Sequence, residues 1–94
     1  MTWTTYILEC SDSSYYVGHT SDIDARIDAH NSGRGAFYTA KHAPVKLAYS
    51  EPFETKIEAV KREKQIKNWS RAKKEALIKQ DLKNLKMLSK SRQS

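Results

Sequence analysis

The sequence holds one cysteine, three glycines and two prolines in 94 residues. A lone Cys10 excludes a disulfide framework within the chain and favours a reducing, cytoplasmic location. So little Gly and Pro, beside 38% hydrophobic and 10% aromatic residues, excludes a low-complexity or disordered chain. No apolar run approaches the length that spans a bilayer. The opening Met1-Thr2-Trp3-Thr4-Thr5 lacks a basic segment leading into an apolar one, so no secretory signal is expected. His19, His30, His42 and Cys10 have no zinc-ligand spacing, and Gly33-Arg34-Gly35 has neither the length nor the Lys-Ser/Thr ending of a phosphate loop. This length supports one small hydrophobic core. A single soluble domain is expected.

What is present is positive charge, unevenly placed. The net charge is +6. Residues 1–50 carry four basic against five acidic residues, and residues 51–94 carry thirteen against six. A basic half of this kind suits a phosphate-backbone partner; it equally suits a solvated, lysine-rich helical surface.

Trp3 to Glu9 is rich in β-branched and aromatic residues and predicts a strand. Ser11-Asp12-Ser13-Ser14 is turn chemistry, and Tyr15 to His19 completes a hairpin. Ser21 is a candidate N-cap for a helix carrying Ile23 and Ile27 on one face, with Asp22 and Asp24 in its first turn and Gly33 at its end. Residues 33–43 read as a polar loop, and Val45 to Tyr49 as a third strand. Thr55 and Glu58 form a capping-box pattern for a helix running to about Asn68 or Trp69. Ser70 caps a further helix through Ala72, Ala76 and Leu77, which Leu82, Leu85, Met87 and Leu88 could extend. The predicted fold class is α+β: a small antiparallel sheet flanked by helices, in the order β-β-α-β-α-α. Residues 1–80 are the expected domain, and 81–94 a C-terminal helical extension with a basic, frayed tail.

Several side chains stand out. On a helical wheel Glu63 falls between Val60 on one side and Ala59 and Ile66 on the other, a carboxylate within an apolar arc. The plainer reading is a glutamate at the rim of that face, solvated or paired with a lysine. Arg26 and His30 are four residues apart, stacked at the edge of the first helix's buried face. An arginine there can grip a phosphate, and a histidine can take or give a proton near neutral pH. They equally read as a surface arginine covering apolar area and a locally bonded histidine. Tyr6 and Tyr16 project from the same sheet face if even residues pair with even, and Gly18 would leave that face open. Two ordinary strand tyrosines and a bulge glycine are the simpler account. Trp3, Tyr15, Phe37, Tyr49, Phe53 and Trp69 read as core and hairpin packing rather than base-stacking platforms. Cys10 has no nucleophile pattern around it.

Taken in order, Thr4-Thr5-Tyr6, Tyr16-Val17-Gly18, Arg26, His30 and Glu63 resemble the GIY-YIG nuclease family. The small stand-alone bacterial members are resembled more closely, through Tyr6-Ile7-Leu8, His30-Asn31-Ser32-Gly33 and Arg62-Glu63-Lys64-Gln65-Ile66-Lys67. The resemblance covers about residues 3–80. Thr4 and Thr5 depart from the family's Gly and Ile, and His19 stands where repair relatives often have Lys. The resemblance implies a three-stranded antiparallel sheet and metal-dependent hydrolysis of nucleic-acid phosphodiesters, with DNA favoured. It implies a site in which Glu63 holds one Mg²⁺ or Mn²⁺ and Arg26 neutralises charge growing on phosphate. Tyr6, Tyr16 and His30 would orient or deprotonate water. His19, Arg34, Lys41, Lys67, Lys73 and Lys74 are the expected nucleic-acid contacts. A monomer is expected, with weak activity alone and a separate protein supplying substrate specificity. The alternative is a non-catalytic nucleic-acid-binding or adaptor module that retains the fold.

Overall fold

A computed structural model describes residues 2–32 and 44–79. The first strand, β1 (Trp3–Cys10), has four consecutive buried residues, Thr5, Tyr6, Ile7 and Leu8. Successive strand side chains point to opposite faces, so such a run belongs to a strand covered on both sides. β1 is the centre of the sheet. It pairs antiparallel with β2 (Tyr15–Thr20) on one edge and β3 (Val45–Phe53) on the other, in the order β2-β1-β3. Three helices complete the order β-β-α-β-α-α: α1 (Ile23–Asn31), α2 (Lys56–Lys67) and α3 (Arg71–Ile78). The predicted α+β class and antiparallel sheet are what the chain forms.

The sheet divides the interior into two cores. Even-numbered Tyr6, Leu8 and Cys10 join Val45 and receive Tyr16, Ile23 and Ile27, which places α1 on that face. Odd-numbered Ile7 and Val17 join Ile66 and Leu77, with Tyr15, Tyr49, Trp69 and Ile78 around them, which places α2 and α3 on the other. A bulge in β3 reconciles the two: Leu8 pairs with Leu47 but Ile7 with Tyr49. The extra residue reverses the side taken by β3's odd positions, so Val45 serves the α1 core and Tyr49 the α2 core.

Local chemistry fixes the ends of the elements. The N-cap of α1 is Asp22, whose Oδ1 accepts from the Ala25 amide at 3.1 Å, and this corrects the expectation of Ser21. The predicted cap was one residue early because Thr20, still on β2, exchanges hydrogen bonds with Asp22 and closes the turn between them. The C-cap of α1 is Ser32; Gly33 lies outside the described residues. Thr55 caps α2 through the Glu58 amide, as its capping box predicts, and Ser70 caps α3 through the Lys73 amide. β3 runs to Phe53, past Pro52, further than the alternation of Val45–Tyr49 indicates. As an edge strand it tolerates a proline that has no N–H to donate. Asn31 at the end of α1 grips β3, accepting the Val45 amide at 2.6 Å and donating to the Val45 carbonyl at 3.2 Å. No helix among the described residues is long and apolar enough to cross a membrane. Residues 81–94, expected to form a helical extension and tail, lie outside the described residues.

Thr5 joins the sheet to α2. Its buried hydroxyl donates to the Ala59 carbonyl at 2.8 Å, a polar link between β1 and α2. Thr5→Val keeps the shape and removes that bond. It should lower stability by about 0.5–1.5 kcal/mol, measured as a urea midpoint shift with unchanged slope. An unchanged midpoint would show that the bond contributes nothing net.

Candidate active site

The hairpin register decides where the tyrosines go. Tyr6 pairs with Gly18 and Leu8 with Tyr16, so even residues do pair with even and both phenols occupy the α1 face. Gly18 is the residue that admits them. A β-carbon there would stand 2.5 Å from Tyr6 Oη, 2.7 Å from its Cζ and 3.3 Å from Tyr16 Cε1. The Tyr6 ring therefore lies across the space that any other residue would fill, towards the β2 edge of the sheet.

His30 meets these rings from α1. It is buried, its Nε2 stands 3.2 Å from Tyr6 Oη, and its ring meets Tyr16 edge-on with centroids 5.2 Å apart. Burial, reinforced by the positive charge of Arg26, pushes the His30 imidazole below its ordinary value, so it is neutral at physiological pH. A neutral Nε2 facing the phenol can accept its proton. Burial pushes the Tyr6 phenol well above its ordinary 10, with Tyr16 adding to that shift, Arg26 opposing it and Glu63 adding to it. Tyr6 is consequently a protonated donor and relay at neutral pH. Arg26 itself is exposed at the mouth of this group.

Glu63 approaches from the other face. It sits on α2, and its negative charge adds to the upward shift of the Tyr6 phenol. Its side chain is only 13% exposed, which settles the wheel ambiguity in favour of an inward carboxylate that is also paired with a lysine. Oε1 accepts from His19 Nδ1 at 2.5 Å, and Oε2 accepts from Lys67 Nζ at 2.7 Å. Burial alone would raise the Glu63 carboxyl; hydrogen bonds from Lys67 and His19, and their charges, outweigh it and hold the group below its ordinary 4.5. Glu63 is ionised at neutral pH.

Of the expected nucleic-acid contacts, His19 and Lys67 thus belong to the carboxylate. The His19 role follows from strand parity, since its partner Thr5 faces α2, whereas sequence spacing alone separates it from Glu63 by 44 positions. Lys67 follows from the i, i+4 rule. Lys73 is 7% exposed, with its ammonium 4.2 Å from the Trp69 ring centroid, a placement that serves packing and argues against a phosphate contact. Lys74 is half-buried, and burial lowers its ammonium below 10.5. Arg34 and Lys41 lie outside the described residues. Trp3 flanks the site, with the His19 ring at 6.1 Å and Lys56 Nζ at 5.5 Å from its own centroid.

No group of three or more His, Cys, Asp or Glu side chains gathers into a metal cage among the described residues. A Mg²⁺ site needs no cage: one hard, ionised oxygen ligand suffices when water and phosphate oxygens supply the rest. Glu63 fits that requirement in charge and donor type.

A phenol–imidazole pair and an exposed arginine thus lie on the α1 side of the three-stranded sheet, and an ionised glutamate lies on α2 on the other side. In comparison with known proteins, residues 2–76 match the GIY-YIG catalytic domain. The chain belongs to the GIY-YIG family, a nuclease superfamily whose members generally depend on divalent metal. It is similar to a UPF0213 protein of Staphylococcus aureus, 52% identical over 75 residues that cover 80% of this chain and 92% of the relative. Among solved structures it is similar to the UPF0213 protein BH0048 from Bacillus halodurans, at 46% identity, TM-score 0.55 and 84% coverage of both chains. The protein EF2693 from E. faecalis is similar at 39% identity, TM-score 0.59 and 85% coverage of both.

The lowered pKa of His30 gives the stability a pH dependence of defined sign. The unfolded chain binds that proton more readily than the folded one, so the contribution of neutral His30 is complete above about 6.5 and is lost as pH falls below it. Thermal melts between pH 7.5 and 5 should show wild type falling more steeply than His30→Gln. Parallel slopes would rule out His30 as the acid-sensitive group.

Proposed function

We propose that this chain is a metal-dependent endonuclease that hydrolyses phosphodiester bonds, with DNA as substrate and one divalent ion at Glu63. The observation that carries this reading is the buried Tyr6–His30 contact, which pairs a protonated phenol with an imidazole kept neutral. A hydrolase has a use for a protonated phenol hydrogen-bonded to a neutral imidazole.

In the proposed reaction an attacking water hydrogen-bonds to Tyr6, Oη passes its proton to His30 Nε2, and the phenol is restored from the water. The water oxygen bonds to phosphorus while the bond to the leaving 3′ or 5′ oxygen breaks, that oxygen taking a proton from solvent and His30 returning its proton to solvent afterwards. Arg26 faces the charge that accumulates on the non-bridging oxygens. Tyr16, packed edge-on against His30, holds the imidazole in register with Tyr6. Glu63 would hold the divalent ion, which when bound would neutralise phosphate charge and make a water more acidic. The protein is expected to be cytoplasmic and monomeric, with a separate protein supplying substrate specificity.

The test is single-turnover cleavage across single-stranded, duplex, flap and junction DNA with Mg²⁺ and Mn²⁺. Arg26→Ala should slow cleavage by on the order of 10²–10³ while weakening substrate binding far less, because its contribution grows in the transition state. Arg26 is exposed, so its removal should leave the melting temperature unchanged. Glu63→Gln should abolish the metal response. Equal cleavage by wild type and Arg26→Ala, or no cleavage by wild type on any substrate, would favour a binding module instead.

A further inference from the structure

The two contacts that Glu63 makes are unequal. His19 is carried on a strand and its ring is flanked by Trp3 at 6.1 Å, so the donor to Oε1 is fixed by the sheet. Lys67 is in the last turn of α2, and its side chain is 50% exposed. A half-exposed ammonium on a four-carbon stem is held by little net free energy and can swing to other rotamers. Oε2 is therefore the exchangeable oxygen of this carboxylate. A divalent ion arriving at Glu63 meets the Lys67 ammonium at 2.7 Å from that oxygen, and two cations cannot share one lone-pair position without strong repulsion.

On the reading that Glu63 is the metal ligand, we propose that Lys67 is a built-in counter-ion that a divalent metal displaces from Oε2, and that the displaced ammonium becomes a phosphate contact beside the site. The arrangement keeps a half-buried carboxylate from standing uncompensated when no metal is bound. It also couples two ligands. A nucleic-acid phosphate that draws Lys67 away frees Oε2 and strengthens metal binding, and metal strengthens phosphate binding by the same factor. The Glu63–Lys67 pair is thus a positioning device that favours loading metal when substrate is present.

The experiment titrates Mn²⁺ into wild type, Lys67→Met, Lys64→Met and Glu63→Gln without nucleic acid, reading the electron paramagnetic resonance signal of the free ion. Lys67→Met should raise Mn²⁺ affinity about fivefold, the scale of one partly exposed ion pair. Lys64→Met removes the same charge from an exposed neighbour on the same helix and should change affinity less than about twofold. Glu63→Gln should bind no Mn²⁺. In wild type the Lys67 Cε methylene resonance should move as diamagnetic Mg²⁺ is added, and the movement should vanish in Glu63→Gln. Lys67→Gln repeats the measurement with a polar side chain should the methionine variant aggregate. Lys67→Met binding no better than wild type, at any level, overturns the exchange; Glu63 remains the ligand if Glu63→Gln alone loses binding. Equal gains in Lys67→Met and Lys64→Met overturn it too, because net charge would explain both. Equal binding by wild type and Glu63→Gln overturns the metal reading on which the proposal rests.

Discussion

Everything in this molecule depends on β1 being covered on both faces. Because strand side chains alternate, Thr5 and Ile7 must meet α2 while Tyr6 and Leu8 meet the α1 core. One strand therefore orients a phenol to one helix layer and a hydroxyl to the other, with no loop between them. The site inherits this division: His30 and Arg26 come from the layer above Tyr6, and Glu63, with its His19 partner, from the layer below. The two halves communicate around β2, the edge strand, where Gly18 has no side chain to block Tyr6. A one-residue slip of β2 against β1 would send Tyr16 to the α2 layer and separate it from Tyr6 and His30.

The electrostatics follow from that geometry. Desolvation acts in the same sense on His30 and Tyr6, disfavouring the charged form of each, so the α1 half holds neutral groups at neutral pH. In the α2 half desolvation is overcome by Lys67 and His19, and the carboxylate stays charged. Two neighbouring halves thus divide the labour, one suited to moving a proton and the other to holding a cation. A second network on the α2 side stays structural: Tyr49 donates to Glu51 at 2.6 Å, and burial with that carboxylate pushes the phenol up to about 12. Arg62 stands 3.3 Å from Glu51 and over the Trp69 ring. This network ties β3 to α2 and fixes the helix that presents Glu63.

Much of the fold was legible because its signals are local. The β-branched run in β1, the Thr55 capping box and the Ile23–Ile27 spacing each follow from neighbours within four residues. The same holds for Lys67 on Glu63, one helical turn apart. What the sequence concealed is non-local or depends on position within the sheet. Pro52 reads as a strand breaker until β3 is known to be an edge. The bulge that turns Tyr49 to the α2 core has no glycine to mark it. Lys73 reads as one more surface cation on a basic helix, yet α3 turns it inward against Trp69. His19 and Glu63 are on a strand and a helix that only the tertiary fold brings together.

That last contact bears on how a single, largely buried carboxylate stays charged in so small a domain. An isolated, half-buried Glu63 would tend to take up a proton and lose its charge. His19 and Lys67 prevent this by donating to separate oxygens. With a donor fixed by the sheet crowding each oxygen, an incoming ion would have no partner to displace, and two mobile partners would leave the carboxylate without a defined orientation. One anchored donor and one exposed lysine satisfy both demands: Oε1 is oriented from β2, and Oε2 is guarded by a group that can leave. The lysine that repair relatives often have at the position of His19 would put a flexible ammonium there as well. A histidine beside Trp3 instead gives this chain a directional donor to Glu63 Oε1.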